Sequence, residues 1–123
     1  MFKLFILLGA VNAGLSVILG AFGAHGLESK LSAKMMEVFK TGVQYHIFHA
    51  LGLFVVAFLA DKFTGSALIH WAGWLMLIGI VLFSGSLYVL SVTGISKLGI
   101  ITPFGGMAFI VGWLLIVIAV LKA

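Results

Sequence analysis

Cysteine is absent from the chain, which excludes disulfides, thiolate nucleophiles and cysteine-ligated zinc or iron–sulfur centres. Arginine is absent as well, and the seven lysines stand singly between apolar runs. That pattern is not the clustered basic face of a nucleic-acid-binding protein; it is the pattern of membrane-interface anchors. Charge is scarce, at 8% of residues against roughly 25% in soluble domains. Apolar residues make up 63% of the 123 positions. A small soluble domain buries only ~60–70% of the surface its unfolded chain exposes, so a water-soluble globule could not hide this much apolar surface. The composition is that of an integral membrane protein.

A membrane helix needs ~20 mostly apolar residues. Four stretches meet that length without a single Asp, Glu, Lys or Arg: Leu4–Ala24, Gly42–Ala60, Ala67–Ser91 and Ile101–Leu121. Their purity matters, because an ionised group at mid-bilayer costs at least ~2.5 kcal/mol. The first run follows Lys3 and ends near the small-x-small triplet Ala21-Phe22-Gly23, as a signal peptide does. It is longer than the ~7–15 residues of a signal's apolar region, so we read it as a span. Asp61-Lys62 with Thr64-Gly65-Ser66, and Thr93-Gly94 to Lys97-Leu98-Gly99, are the polar breaks. Pro103 suits the first turn of the last helix, where its missing N–H is no loss.

Between the first two spans, Leu27, Leu31, Met35, Val38 and Phe39 recur at helical spacing, opposite Lys30, Lys34, Glu37 and Lys40. This predicts an amphipathic helix over about 31–41, lying in the interface plane, with Ser32 as its N-cap. The expected fold class is thus all-α integral membrane: one domain over residues 1–123, a four-transmembrane-helix up-down bundle with an interfacial amphipathic helix between spans 1 and 2. With four spans, the loops carrying Lys30, Lys34, Lys40 and Lys97 share one side. Lys3, Lys62 and Lys122 share the other, a small excess favouring termini outside. Gly9-x-Val11 with Ser16 is echoed by Gly79-x-Val81 with Ser86, a pattern consistent with two parallel helix pairs.

Polar residues gather at the end of the bundle nearest the first loop. His25 closes span one there, Gln44, Tyr45, His46 and His49 open span two, Ser84, Ser86 and Tyr88 approach in span three, and Thr102 opens span four. Positions i, i+3 and i+4 share a helical face, so Tyr45, His46 and His49 project together, with His25 in reach from the neighbouring helix. Three imidazoles are a candidate metal or proton site. The same Tyr and His residues also suit the headgroup level or bonds between helices. His25, His46, His49, Tyr45, Ser84 and Tyr88 are therefore the candidate ligand-binding residues. Gly9, Asn12, Ser16, Gly20 and Gly23 form a small, polar stripe on span one, expected to pack against another helix with Asn12 supplying an interhelical hydrogen bond. A serine nucleophile lacks an acidic partner within the spans, and the absence of intramembrane charge disfavours a secondary transporter.

Four ordered blocks resemble a known family: Gly20-Ala21-Phe22-Gly23-Ala24-His25-Gly26-Leu27, Tyr45-His46-Ile47-Phe48-His49-Ala50-Leu51, Phe83-Ser84-Gly85-Ser86-Leu87-Tyr88, and Thr102-Pro103-Phe104-Gly105-Gly106 through Gly112-Trp113. They are similar to the small membrane proteins grouped as domain of unknown function 423. That family includes YgdD-like and YwdK-like proteins and is related to a eukaryotic transmembrane protein, number 256. The resemblance implies a multi-pass protein of the bacterial cytoplasmic membrane and brings no activity, cofactor or catalytic residue. The expected function is non-enzymatic: a structural or accessory protein whose partners are the lipid bilayer and further copies of itself. The alternative is a binding protein for a metal ion, a proton or a lipid headgroup at the His/Tyr/Ser cluster.

Overall fold

A computed structural model describes residues 1–123 and is entirely helical. Helix α1 covers Phe2–His25 and α2 covers Ala33–Lys62. The third span is α3, Ala67–Gly79, continued through a π-helical turn at Ile80–Ser84 into α4, Gly85–Thr93. A 3-10 turn, Ser96–Ile100, leads into α5, Thr102–Lys122. The chain thus holds four helices long and apolar enough to cross a membrane.

Local sequence accounts for most boundaries. Ser32 and Ser66 accept from the backbone N–H groups of Met35 and Ile69 and so cap α2 and α3. Gly94 ends α4 in the left-handed conformation at φ 73°, and its N–H bonds the Leu90 carbonyl at 2.8 Å. Pro103 lies in the first turn of α5.

The expected interfacial helix over 31–41 is not a separate element. Those residues from Ala33 onward are the first turns of α2, which continues unbroken for 30 residues. At ~1.5 Å per residue it is about 45 Å long, enough to cross the hydrocarbon core and both headgroup layers. No proline interrupts Lys40–Gly42, and the Thr41 hydroxyl bonds the Glu37 carbonyl at 2.9 Å, so the helix has no cause to break. The amphipathic turns are also held down: Phe39 is buried, lies against Gly23 of α1 and packs beside Tyr88 with ring centroids 5.2 Å apart.

Helix α2 is the centre of the molecule. It packs on α1, on α3 and on α4, whereas α5 packs chiefly on α3 and the π-turn. In lipid the helices gain little from apolar transfer, so close approach and dispersion hold them together. Several close approaches are made by aromatic rings seated on glycines: Phe39 on Gly23, Phe54 on Gly9, Phe5 on Gly73 and Phe109 on Gly79. The apolar core of Phe5, Leu53, Val56, Ile69, Ala72 and Met76 occupies the end nearer the termini, leaving the polar side chains in the half nearer the first loop.

Candidate functional site

Span one contributes Asn12. On α1 the buried residues are Phe5, Gly9, Asn12, Ser16 and Gly23, so the small-residue stripe faces α2, with Gly20 partly covered beside Val43. The Asn12 side-chain amide donates to the Leu8 carbonyl at 2.8 Å. Its Oδ1 is therefore the acceptor presented to Nε2 of His46, at 2.9 Å. With Nε2 donating, Nδ1 of His46 accepts from the Tyr88 hydroxyl at 2.8 Å. A single polar chain, Tyr88 to His46 to Asn12, thereby joins α4, α2 and α1.

His49, one turn along α2, faces elsewhere. Its Nδ1–H donates to the Tyr45 carbonyl at 2.8 Å, and its Nε2 accepts from the indole N–H of Trp113 on α5 at 3.1 Å. The ring stacks on Phe109, centroids 3.5 Å apart and planes 8° from parallel. Tyr45 lies nearly parallel to the same ring, 6.3 Å away at 9°. Both histidines are only 4% exposed, and every ring nitrogen has a protein partner.

The six candidate binding residues therefore divide. His46, Tyr88 and Asn12 form one network and Ser84 another link, with its hydroxyl on the Gly42 carbonyl at 2.8 Å. Tyr45 and His49 line a separate space. His25 is exposed at the end of α1 and makes no side-chain hydrogen bond with the others. No three His, Asp or Glu residues are grouped so as to hold a metal ion. The serine hydroxyls are directed at carbonyls: Ser86 at Phe83, Ser91 at Tyr88, and Ser16 at Ala13. Since Ser86 donates to Phe83, Thr102 donates to Ser86 at 2.6 Å, tying α5 to α4.

Between α2 and α5 the backbones stand apart, and aromatic side chains bridge the gap. A groove of about 580 Å³ remains, lined by Gln44, Tyr45, Phe48 and His49 of α2, Phe83 of the π-turn, and Gly106, Phe109, Ile110 and Trp113 of α5. Phe48 and Ile110 are well exposed at its mouth, so it opens on the face that lipid would cover. The Tyr45 side chain is 41% exposed. The π-turn places Phe83 here: Gly85 N–H bonds the Ile80 carbonyl, five residues back, which shifts the register so that Phe83 meets the α5 backbone at Gly105 while Ser84 faces α2. The sequence does not single out Phe83, Phe109 and Trp113 as site residues, because aromatics in an apolar span carry no mark of the face they occupy.

A family described as "Protein of unknown function (DUF423)" matches residues 19–106. UPF0382 membrane protein YwdK of Bacillus subtilis is 67% identical over 120 residues, 98% of each chain. A UPF0382 membrane protein of Staphylococcus epidermidis is 53% identical over 98% of this chain and 97% of its own, and one of Staphylococcus aureus is 48% identical over the same shares. No solved structure matches. Four membrane-length helices, the matched residues and this degree of identity together make the chain a membrane protein belonging to the DUF423 family.

Proposed function

We propose that the protein is a non-catalytic component of the bacterial cytoplasmic membrane that binds a membrane-dissolved amphiphile in the groove between α2 and α5. The observation that carries this reading is the groove itself: about 580 Å³, lined mainly by aromatic rings, with Gln44 and Tyr45 near one end. Ligand sites are typically apolar clefts of ~300–1,000 Å³ with a few polar groups that set orientation. Support for the non-catalytic part comes from the hydrogen bonds. The buried serine hydroxyls donate to backbone carbonyls or accept from a neighbour, none hydrogen-bonds a histidine, and the apolar runs Leu4–Ala24, Gly42–Ala60, Ala67–Ser91 and Ile101–Leu121 contain no carboxylate. The His46 network serves helix packing on this reading, since both ring nitrogens of His46 and of His49 already have protein partners.

The test is purification in a mild detergent followed by native mass spectrometry. The expected result is a co-purifying amphiphile in the wild-type chain that is lost in Gly106→Leu. A bare wild-type chain, or an adduct untouched by Gly106→Leu, overturns the reading.

Self-association is a second reading. The small-residue stripe of α1 packs on α2, so a second copy has to use another face. Ala10 and Gly14 lie one turn apart on the exposed side of α1, and a Cβ at Gly14 would meet nothing within 4 Å. Small residues one turn apart permit close helix approach in lipid. Loss of a dimer in Gly14→Leu, seen by crosslinking in membranes, supports it; an unchanged dimer, or none in the wild type, overturns it.

A further inference from the structure

We infer that the occupant of the α2–α5 groove is an anionic phospholipid, with one acyl chain in the groove and its phosphate at Lys40. This rests on the groove reading above and names its ligand. Depth is the first argument. Gly106 is four residues and Trp113 eleven residues into α5, which at ~1.5 Å per residue places the groove roughly 6–16 Å below the start of that helix. It therefore runs down the leaflet on the side of the first loop, along the path of an acyl chain rather than across it.

Charge is the second argument. Lys40 lies four residues before Gln44 on the continuous α2, so it stands one turn above the groove on the same helical face. Had residues 31–41 formed a separate helix in the interface plane, Lys40 would have no such position. Its side chain is exposed, and its stem can lie along the helix while the ammonium reaches the headgroup layer. Lys97, in the turn that leads into α5, stands at the same end of the bundle. That end carries four lysines, Lys30, Lys34, Lys40 and Lys97, against two glutamates, Glu28 and Glu37. Basic groups at the headgroup end of a cleft between transmembrane helices select anionic headgroups. The Gln44 amide, which lines the groove one turn below the ammonium, is placed for the ester carbonyls at the top of the chain.

Position 106 makes the proposal testable without breaking the fold. A Cβ there would meet only the Phe83 ring, at 3.8 Å, so a leucine extends into the groove with no backbone clash. The full chain in neutral detergent is titrated with phosphatidylglycerol or phosphatidylcholine of the same chain lengths, and retention is read by native mass spectrometry. The wild type retains one phosphatidylglycerol with about a five-fold preference over phosphatidylcholine, the size expected for one lysine beside an anionic headgroup. Lys40→Gln abolishes the preference and leaves phosphatidylcholine retention unchanged, and Gly106→Leu abolishes retention of both. Ile110→Trp fills the same groove from its exposed mouth and gives the same loss should Gly106→Leu fail to elute as a folded species. Equal retention of the two lipids, still lost in Gly106→Leu, overturns the headgroup assignment and leaves groove binding standing. Retention that neither groove-filling variant reduces overturns both. Dimers that Gly106→Leu dissolves give the groove to a second copy of the chain, and overturn both as well.

Discussion

The indole N–H of Trp113 donates to Nε2 of His49 at 3.1 Å, joining two helices whose backbones otherwise stand apart. Because Nε2 accepts, the ring carries its proton on Nδ1, where the Tyr45 carbonyl receives it. A second proton on the ring would set two N–H donors head to head. The contact thus holds a neutral imidazole against Phe109 and forms the floor of the groove.

Trp113→Phe keeps the ring and removes the donor, leaving the buried His49 Nε2 unpaired. Hydrogen bonds between transmembrane helices contribute about 0.6 kcal/mol on average, up to ~1.7, so a loss of about 1 kcal/mol is expected. Reversible unfolding in mixed micelles measures it, and a variant as stable as the wild type would show that the bond contributes nothing.

Tyr88 and Asn12 both act through His46. Tyr88→Phe is expected to cost about 1 kcal/mol in the wild-type chain and close to zero in a His46→Ala background, because its acceptor is then gone. Equal losses in the two backgrounds would place the stabilisation in the Tyr88 ring, which also packs on Phe39 and over Gly42, rather than in the hydrogen bond.

Two glycines separate packing from mere flexibility. A Cβ at Gly105 would run into the Phe83 backbone, with Cα only 2.7 Å away, whereas one at Gly14 meets nothing. Gly105→Ala is therefore expected to lose about 3 kcal/mol, since backbone cannot swing aside as a side chain can. Gly14→Ala is expected to gain ~0.5–1 kcal/mol from helix propensity. The same unfolding measurement checks both, and similar values for the two would remove the steric explanation.

Topology is open to a simple measurement because the chain has no cysteine to remove. Ser29→Cys and Ser96→Cys are expected to react with an impermeant maleimide only after the membrane is opened, and Thr64→Cys in intact cells. This follows from the four lysines at that end of the bundle, Lys30, Lys34, Lys40 and Lys97, against three at the other. The reverse labelling pattern inverts the molecule.

Much of the architecture was legible in residue order alone. The four spans, the Ser32 cap, Pro103 in the first turn of α5 and the polar end of the bundle all rest on local composition and spacing, which act within one or two helical turns. Asn12 was recognisable as an interhelical donor or acceptor because an isolated amide in a bilayer has to find a partner. The continuity of α2 was not legible. An amphipathic run beside an apolar run reads equally as two helices at an angle or one long helix, and the docking of Phe39 on Gly23 decides between them.

Tertiary packing alone settled how the candidate site divides. Spacing places Tyr45, His46 and His49 on one face, yet His46 turns to Asn12 and Tyr88 and His49 to Trp113, because a helix surrounded by neighbours offers adjacent turns to different partners. The π-turn at Ile80–Ser84 inserts a register shift that no periodicity announces, and it carries Phe83 to α5 and Ser84 to α2. The groove follows from the gap those aromatics bridge. Membrane residence and the four helices were determined by composition and apolar run length, since the transfer of each residue into lipid is a local quantity. Which polar atoms meet, and where a cavity is left, depended on the shapes of helices distant in sequence.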